Sequence, residues 1–336
     1  MTDFETNADP AKVAVPALEV EHLTVEFPTR RGVLTAIDDV SMRIERGEIL
    51  GVVGESGAGK SITGLAVLGL LEAPGRTSGG EIRVGGRRVD NLSEDELTQI
   101  RGREMGAIFQ DPLMALNPLF TIGAQLIETI RLHSGLSKDR ARERALQLLM
   151  EVGIPAAAER LDQYPHQFSG GMRQRVVIAL ALAAEPGLII ADEPTTALDV
   201  SIQAQITSLL RKLCREHHTG IMLVTHDMGV IAETADRVAV MYSGRVVESG
   251  RVADVIHDAQ HPYTKGLMAA IPSLHERVDA LAQIEGSMPR LNSRPSGCAF
   301  NPRCPMAGPR CFREKPELAP AGSNRAACFL HQGGTE

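Results

Sequence analysis

The stretch Ile49-Leu-Gly-Val-Val53 is a short, uninterrupted apolar run. It is followed at once by Gly54-Glu55-Ser56-Gly57-Ala58-Gly59-Lys60-Ser61 and then by an apolar helical stretch from Ile62. A continuous apolar run predicts a strand buried on both faces of a parallel sheet. The octet that follows fits G-x-x-x-x-G-K-[ST]. Its glycines let the backbone curl so that successive N–H groups point at phosphate oxygens, and the N-terminus of the following helix adds positive potential. Lys60 is placed to reach the β- and γ-phosphates of a nucleoside triphosphate, and Ser61 to ligate Mg²⁺. Strand, loop and helix stand in the order this chemistry needs.

A second buried strand is predicted in Gly187-Leu-Ile-Ile-Ala-Asp-Glu193, again apolar and ending in carboxylates. Asp192 is placed to hold Mg²⁺ through water, and Glu193 to take a proton from an attacking water as a general base. An apolar run ending in Asp-Glu says little by itself; downstream of a phosphate loop it completes a hydrolytic pair.

Between and around these two strands stand further motifs. "QFSGGMRQRVVIALAL" precedes the second strand, and with Phe27 in "LTVEFPTRRG", Gln110 in "AIFQDPLMALNP", "TTALD" ending at Asp199, and His226 in "MLVTHDMGV" it resembles the motif set of ATP-binding cassette (ABC) proteins. The resemblance covers roughly residues 18–256. It implies that Phe27 stacks on adenine and that residues 54–62 and Gln110 bind ATP. Mg²⁺ would be held by Ser61, Gln110 and Asp192, and His226 would contact the γ-phosphate. The signature residues Ser169, Gly170, Gly171 and Met172 would press on ATP held by a second cassette, with Asp199 in the loop between subunits. Ser169 is a plausible helix N-cap, and the two glycines permit close backbone approach to phosphate. Phe168 and Met172 depart from the usual Leu and Gln of this motif, whereas its Ser-Gly-Gly centre is intact.

The predicted fold class is α/β: a P-loop core, an antiparallel β region, and a helical insert over about 112–182. In that insert "IGAQLIETIRLH" and "RARERALQLLMEVGI" carry apolar residues at helical spacing. "RVAVMYSGRVVESG" reads as a hairpin turning at Ser243-Gly244. The expected organisation is a disordered lead over 1–17, one cassette over 18–256, and a C-terminal extension over 257–336.

Four of the five cysteines fall in that extension, spaced Cys298-x5-Cys304-x6-Cys311-x16-Cys328. Pro and Gly density there argues against long helices. Four thiolates suit tetrahedral Zn²⁺ or a [4Fe–4S] cluster. The loops are wider than zinc knuckles, which favours the cluster, while zinc and an empty reduced site stay open. Arg303, Arg310, Arg313 and Arg325 surround these cysteines, either offsetting cluster charge or forming a solvated basic face. Cys214, in "LLRKLCREHH", reads as a lone buried thiol. "HPYT…L…AIP" followed by "GCAFNPRCP" resembles the extension of oligopeptide/dipeptide/nickel importer ATPases. That resemblance also favours iron–sulfur. It further implies a homologous second ATPase subunit, two transmembrane permease subunits and an extracytoplasmic binding protein, with the chain peripheral on the cytoplasmic face of the bacterial inner membrane.

Bulk properties narrow the field. A net charge of −7 disfavours a nucleic-acid partner, and the absence of Trp disfavours base stacking. No run of eighteen apolar residues is present, and the N-terminus lacks a basic and apolar leader. The expected function is ATP hydrolysis powering di- or oligopeptide import. Nickel or another small solute is the alternative cargo, and a soluble repair or translation ATPase the distant alternative.

Overall fold

The computed structural model describes residues 15–196, 198–270 and 283–332. Residues 1–14 of the expected lead and Ala197 of the "TTALD" loop therefore lie outside the described residues.

β1 (Leu18–Thr29) and β2 (Gly32–Ile44) pair antiparallel, with Phe27 opposite Leu34. β1 buries Leu18, Val20, Leu23 and Val25. The period of two slips by one residue beside His22, where the register shifts. β3 (Ile49–Val53) and α1 (Lys60–Leu68) carry the phosphate-loop motif. All of β3 is buried: Ile49 and Val53 join one hydrophobic core, Leu50 and Val52 the other. β4 (Arg76–Val84) and β5 (Arg87–Arg88) complete a four-stranded antiparallel sheet ordered β2-β1-β4-β5. α2 (Glu94–Ile100) opens on a capping box between Ser93 and Glu96. After β6 (Met105–Ile108) come α3 (Pro112–Ala115), α4 (Ile122–Ser134), α5 (Lys138–Glu151), α6 (Ala157–Arg160) and α7 (Gly170–Ala181). β7 (Leu188–Asp192), α8 (Val200–His217), β8 (Gly220–Thr225), α9 (Met228–Thr234), β9 (Arg237–Tyr242) and β10 (Arg245–Arg251) follow.

The chain closes with α10 (Val252–His257), α11 (Pro262–Ala269), β11 (Ala319–Ala321) and β12 (Asn324–Ala326). The main sheet is ordered β11-β12-β10-β9-β3-β8-β7-β6. Strands β9 to β6 of that order run parallel, and β10, β12 and β11 are antiparallel additions at one edge. The β9–β10 hairpin turns at Ser243 and Gly244, both with positive φ (48° and 78°), as a two-residue I′ turn requires.

The C-terminal segment is built into the same body. Hairpin β11–β12 extends the main sheet through Glu248 opposite Ala326. Tyr263, Ala299 and Phe300 are buried in the core that also holds Ile49 and Val53. Glu248 is fully buried and accepts from the backbone N–H groups of Gln260 (2.8 Å) and His261 (2.8 Å) and from Asn324 Nδ2 (3.0 Å). These three donors offset the cost of removing its carboxylate from water.

Candidate nucleotide site

The phosphate loop leaves the C-terminal end of β3. Gly54 passes so close to β9 that a Cβ there would lie 2.2 Å from the Met241 carbonyl oxygen. Gly59 caps α1 at φ +102°, a conformation that side chains resist. No side chain caps α1, and among the described residues the N–H groups of Ser56, Gly57, Gly59, Lys60, Ser61 and Ile62 find no protein acceptor. A cup of unpaired donors at a helix N-terminus is an anion site. Lys60 is buried, and its Nζ donates to the carbonyls of Gly54 (2.8 Å) and Glu55 (3.1 Å). Burial lowers its pKa, against the pull of Glu193, Asp192 and Glu55.

The remaining polar groups arrive at the same edge of the sheet, from the ends of the parallel strands β6, β7 and β8. Ser61 Oγ donates to Asp192 Oδ1 at 3.0 Å. Burial raises the Asp192 pKa, with the Glu193 charge adding to it and the Ser61 bond opposing it. Glu193 sits at φ +45° with its N–H on the Val224 carbonyl (2.8 Å). Its Oε2 accepts from Thr196 Oγ1 (2.8 Å) and Gln110 Nε2 (3.3 Å), and its Oε1 lies 3.1 Å from His226 Nδ1. Burial alone raises a carboxyl pKa; here the bonds from His226 and Thr196, with the charges of His226 and Lys60, outweigh it and hold Glu193 below its ordinary value. Lys60, Ser61, Gln110, Asp192, Glu193 and His226 thus form one constellation.

Other residues singled out in the sequence lie outside that network. Ser169 is the N-cap of α7, its Oγ accepting from Met172 N at 3.4 Å. A Cβ on Gly171 would lie 2.7 Å from Ile202 of α8. Among the described residues, Ser169, Gly170, Gly171 and Met172 form no hydrogen bond with the constellation. Asp199 caps α8 without a side-chain bond. Phe27 is half-buried, its ring edge 2.7 Å from a Cβ built on Gly75. Phe168 fills the core as Leu would, with the Arg160 guanidinium 5.6 Å from its ring centre.

Cys298, Cys304, Cys311 and Cys328 line one cavity of ≈ 560 Å³ together with His261 and Phe329. The backbone at Phe300, Met306 and Leu330 opposes the rise in pKa of Cys298, Cys304 and Cys328 respectively. Burial pushes the Cys298 thiol up to about 11, with the other three thiols adding to it. The expected metal centre is not preformed in the ligand arrangement of the described residues. Among the described residues, no group of three or more His, Cys, Asp or Glu side chains is arranged to hold a metal ion. The thiols share a cavity, and burial raises the pKa of Cys298, Cys304 and Cys328.

Of the arginines near these cysteines, Arg303 and Arg325 are engaged elsewhere, Arg310 lines the cavity, and Arg313 is exposed. Arg303 binds Glu55, Arg310 pairs with Glu314 and stacks 4.1 Å over Phe329, and Arg325 donates to the Leu318 carbonyl. Cys214 stands apart: its Sγ donates to the Thr219 carbonyl, and burial pushes its pKa up to about 12. Sequence reasoning missed Thr196 and Tyr263, and assigned Arg303 to the cysteines instead of the phosphate loop. Thr196 stands three residues after Glu193, a spacing that could have marked it. Tyr263 and Arg303 reach the phosphate loop from so far along the chain that only the fold reveals them.

Comparison with known proteins agrees with this geometry. The ABC transporter family matches residues 37–196, and the family described as "Oligopeptide/dipeptide transporter, C-terminal region" matches residues 247–311. The dipeptide transport ATP-binding protein DppD of Escherichia coli (strain K12) is 46% identical over 301 residues, covering 90% of this chain and 92% of that protein. The oligopeptide transport ATP-binding protein OppD of Salmonella typhimurium is 46% identical over 329 residues, 98% of each. Among solved structures, a dimeric post-hydrolysis ATP-binding cassette bound to ADP and Pi superposes with TM-score 0.62 at 30% identity, covering 70% of this chain and 98% of that one. With the fold, the phosphate loop and both family matches in agreement, the chain belongs to the ABC transporter ATP-binding proteins, in their oligopeptide/dipeptide branch.

Proposed function

We propose that this chain hydrolyses ATP to power di- and oligopeptide import. The observation that carries this reading is the convergence of Gln110, Thr196 and His226 on Glu193, beside the phosphate loop and Asp192. In this reading residues 54–62 hold the ATP phosphates, through the unpaired N–H groups of Ser56, Gly57, Gly59, Lys60, Ser61 and Ile62 and the Lys60 ammonium. Mg²⁺, which supplies charge neutralisation when bound, is held by Ser61 and Asp192, with Gln110 beside them. Ser61 Oγ and Asp192 Oδ1 are hydrogen-bonded at 3.0 Å, so an ion on Ser61 would have the Asp192 carboxylate within reach through water. Glu193 takes the proton of the water that attacks the γ-phosphate, and His226 orients Glu193 and contacts that phosphate. Phe27 stacks on adenine.

Replacing His226 with Ala removes a bond that keeps Glu193 ionised. The carboxyl pKa should then rise, and the acid limb of the pH–turnover profile should move to higher pH. An unmoved limb would show that His226 does not act through Glu193.

Ser169, Gly170, Gly171 and Met172 serve ATP on a partner cassette, with Asp199 at the seam; their separation from this chain's own constellation supports that. A homologous rather than identical partner is our reading. Exposed Leu113, Met114 (86%), Leu119 (79%) and Phe120 follow Gln110 closely and offer an apolar face to a permease. No helix among the described residues is long and apolar enough to cross a membrane. In this reading the permease subunits hold the chain on the cytoplasmic face of the inner membrane, and a binding protein delivers the peptide. Turnover by the complete transporter should rise when peptide-loaded binding protein is added. Stimulation by nickel instead of peptide would move the assignment to the nickel importers.

We infer also that Cys298, Cys304, Cys311 and Cys328 hold a [4Fe–4S] cluster. The four thiols line one cavity, close enough together in the fold to share one bound group. Tetrahedral Zn²⁺ requires sulfurs roughly 3.8 Å apart; a cubane accepts a wider set. Protein purified without oxygen should be brown, with iron and acid-labile sulfide in equal amounts. Colourless protein with one zinc would replace the cluster with a structural ion.

A further inference from the structure

The phosphate loop is gripped from outside the cassette motifs. The N–H of Glu55 donates to Tyr263 Oη at 2.9 Å, and Glu55 Oε2 accepts from Arg303 Nη1 at 3.0 Å. Neither anchor has room to move. Tyr263 is fully buried, edge-on to Tyr242 at 4.7 Å and tilted against Phe300 at 5.4 Å. The Arg303 side chain is 6% exposed. Its Nε donates to the Glu285 carbonyl (2.8 Å), its Nη2 to the Ile284 carbonyl (3.1 Å) and its Nη1 also to Tyr242 Oη (3.3 Å).

Arg303 is bonded directly to Cys304. The short 3₁₀ turn Asn301–Arg303 is fixed to the thiol cavity at its other end: Asn301 N donates to the Cys298 carbonyl (3.0 Å) and Asn301 Nδ2 to the Cys311 carbonyl (3.1 Å). The cysteine-bearing walls and the phosphate loop are therefore joined by one rigid turn and one guanidinium. A glycine-rich loop pays conformational entropy when it orders around a ligand, and holding it in its binding shape beforehand removes that cost.

We propose that Tyr263 and Arg303 are positioning residues for the phosphate loop, through which the cysteine-bearing segment sets ATP affinity. They act on Glu55 and not on the nucleotide, leaving the unpaired N–H groups of Ser56, Gly57, Gly59, Lys60, Ser61 and Ile62 for the phosphates. This rests on the reading that the loop binds ATP.

The test uses the full-length chain and a fluorescent ATP analogue, without turnover. Tyr263→Phe and Arg303→Met should each weaken binding by ~3- to 10-fold, the worth of one hydrogen bond, and speed amide hydrogen exchange over residues 55–59. Glu55→Gln should do likewise, and the Arg303→Met/Glu55→Gln double variant should bind no more weakly than the weaker single. Wild-type affinity and exchange in Tyr263→Phe and Arg303→Met would overturn the proposal, as would effects of Arg303→Met and Glu55→Gln that multiply in the double variant. Should Arg303→Met fail to fold, Arg303→Lys and Tyr263→Phe decide on the same readouts. Wild-type protein that fails to bind the analogue would instead sink the ATP reading, so the two failures are distinct.

Discussion

Replacing Glu193 with Gln is expected to leave ATP binding near the wild-type level and to lower turnover by ~10²- to 10⁴-fold, the usual share of a positioned general base. The amide keeps the size of the carboxylate and an oxygen for Thr196 to bond, so the loop after β7 should hold its place. Only the capacity to take a proton is lost. The surroundings of Glu193 are arranged for that capacity: His226 and Thr196 bond the carboxylate and outweigh the burial that would protonate it. Because its pKa is held down, Glu193 is ionised above the ordinary carboxylate range, and the base form is lost only as pH falls through that lowered value. Paired measurements of nucleotide binding and phosphate release check this. Unchanged release in Glu193→Gln would remove the base from this position.

Replacing Lys60 with Ala should have the second large effect, weakening ATP binding on the order of 10²-fold, as expected for losing charge-assisted bonds to phosphate. Lys60 is buried against the Gly54 and Glu55 carbonyls, and burial lowers its pKa. The fold therefore gains little from its charge, and thermal stability should survive the change. A variant that kept ATP affinity but melted early would mark Lys60 as a loop strut instead. Isothermal titration alongside a thermal melt separates the two.

The nucleotide site was largely legible because its chemistry is local. Strand, glycine loop and helix from Ile49 to Leu68 follow from an apolar run, positive-φ glycines and an uncapped helix start, all written within twenty contiguous residues. The Ser169 cap and the Ser243-Gly244 turn are local in the same sense. The links from Tyr263 and Arg303 to Glu55 were not legible, since they span 208 and 248 residues and depend on packing against Tyr242. Strands β11 and β12 are three residues each, and Pro320 lies in one of them, so no period of two could announce them. Arg303 misled in an instructive way. Its place beside Cys304 suggests charge compensation for a cluster, whereas its side chain is turned inward to the phosphate loop. Spacing grouped the four cysteines, and the fold lines one cavity with them, but spacing could not show how deeply Cys298 and Cys328 are buried there.

The central claim is that ATP turnover at this site drives peptide import. It is tested most directly by uptake of a labelled dipeptide into proteoliposomes holding the complete transporter, with its peptide-binding protein on the receiving side and ATP on the other. Uptake should depend on ATP and fall to background when this chain carries Lys60→Ala or Glu193→Gln. Wild-type uptake with either variant would contradict the account.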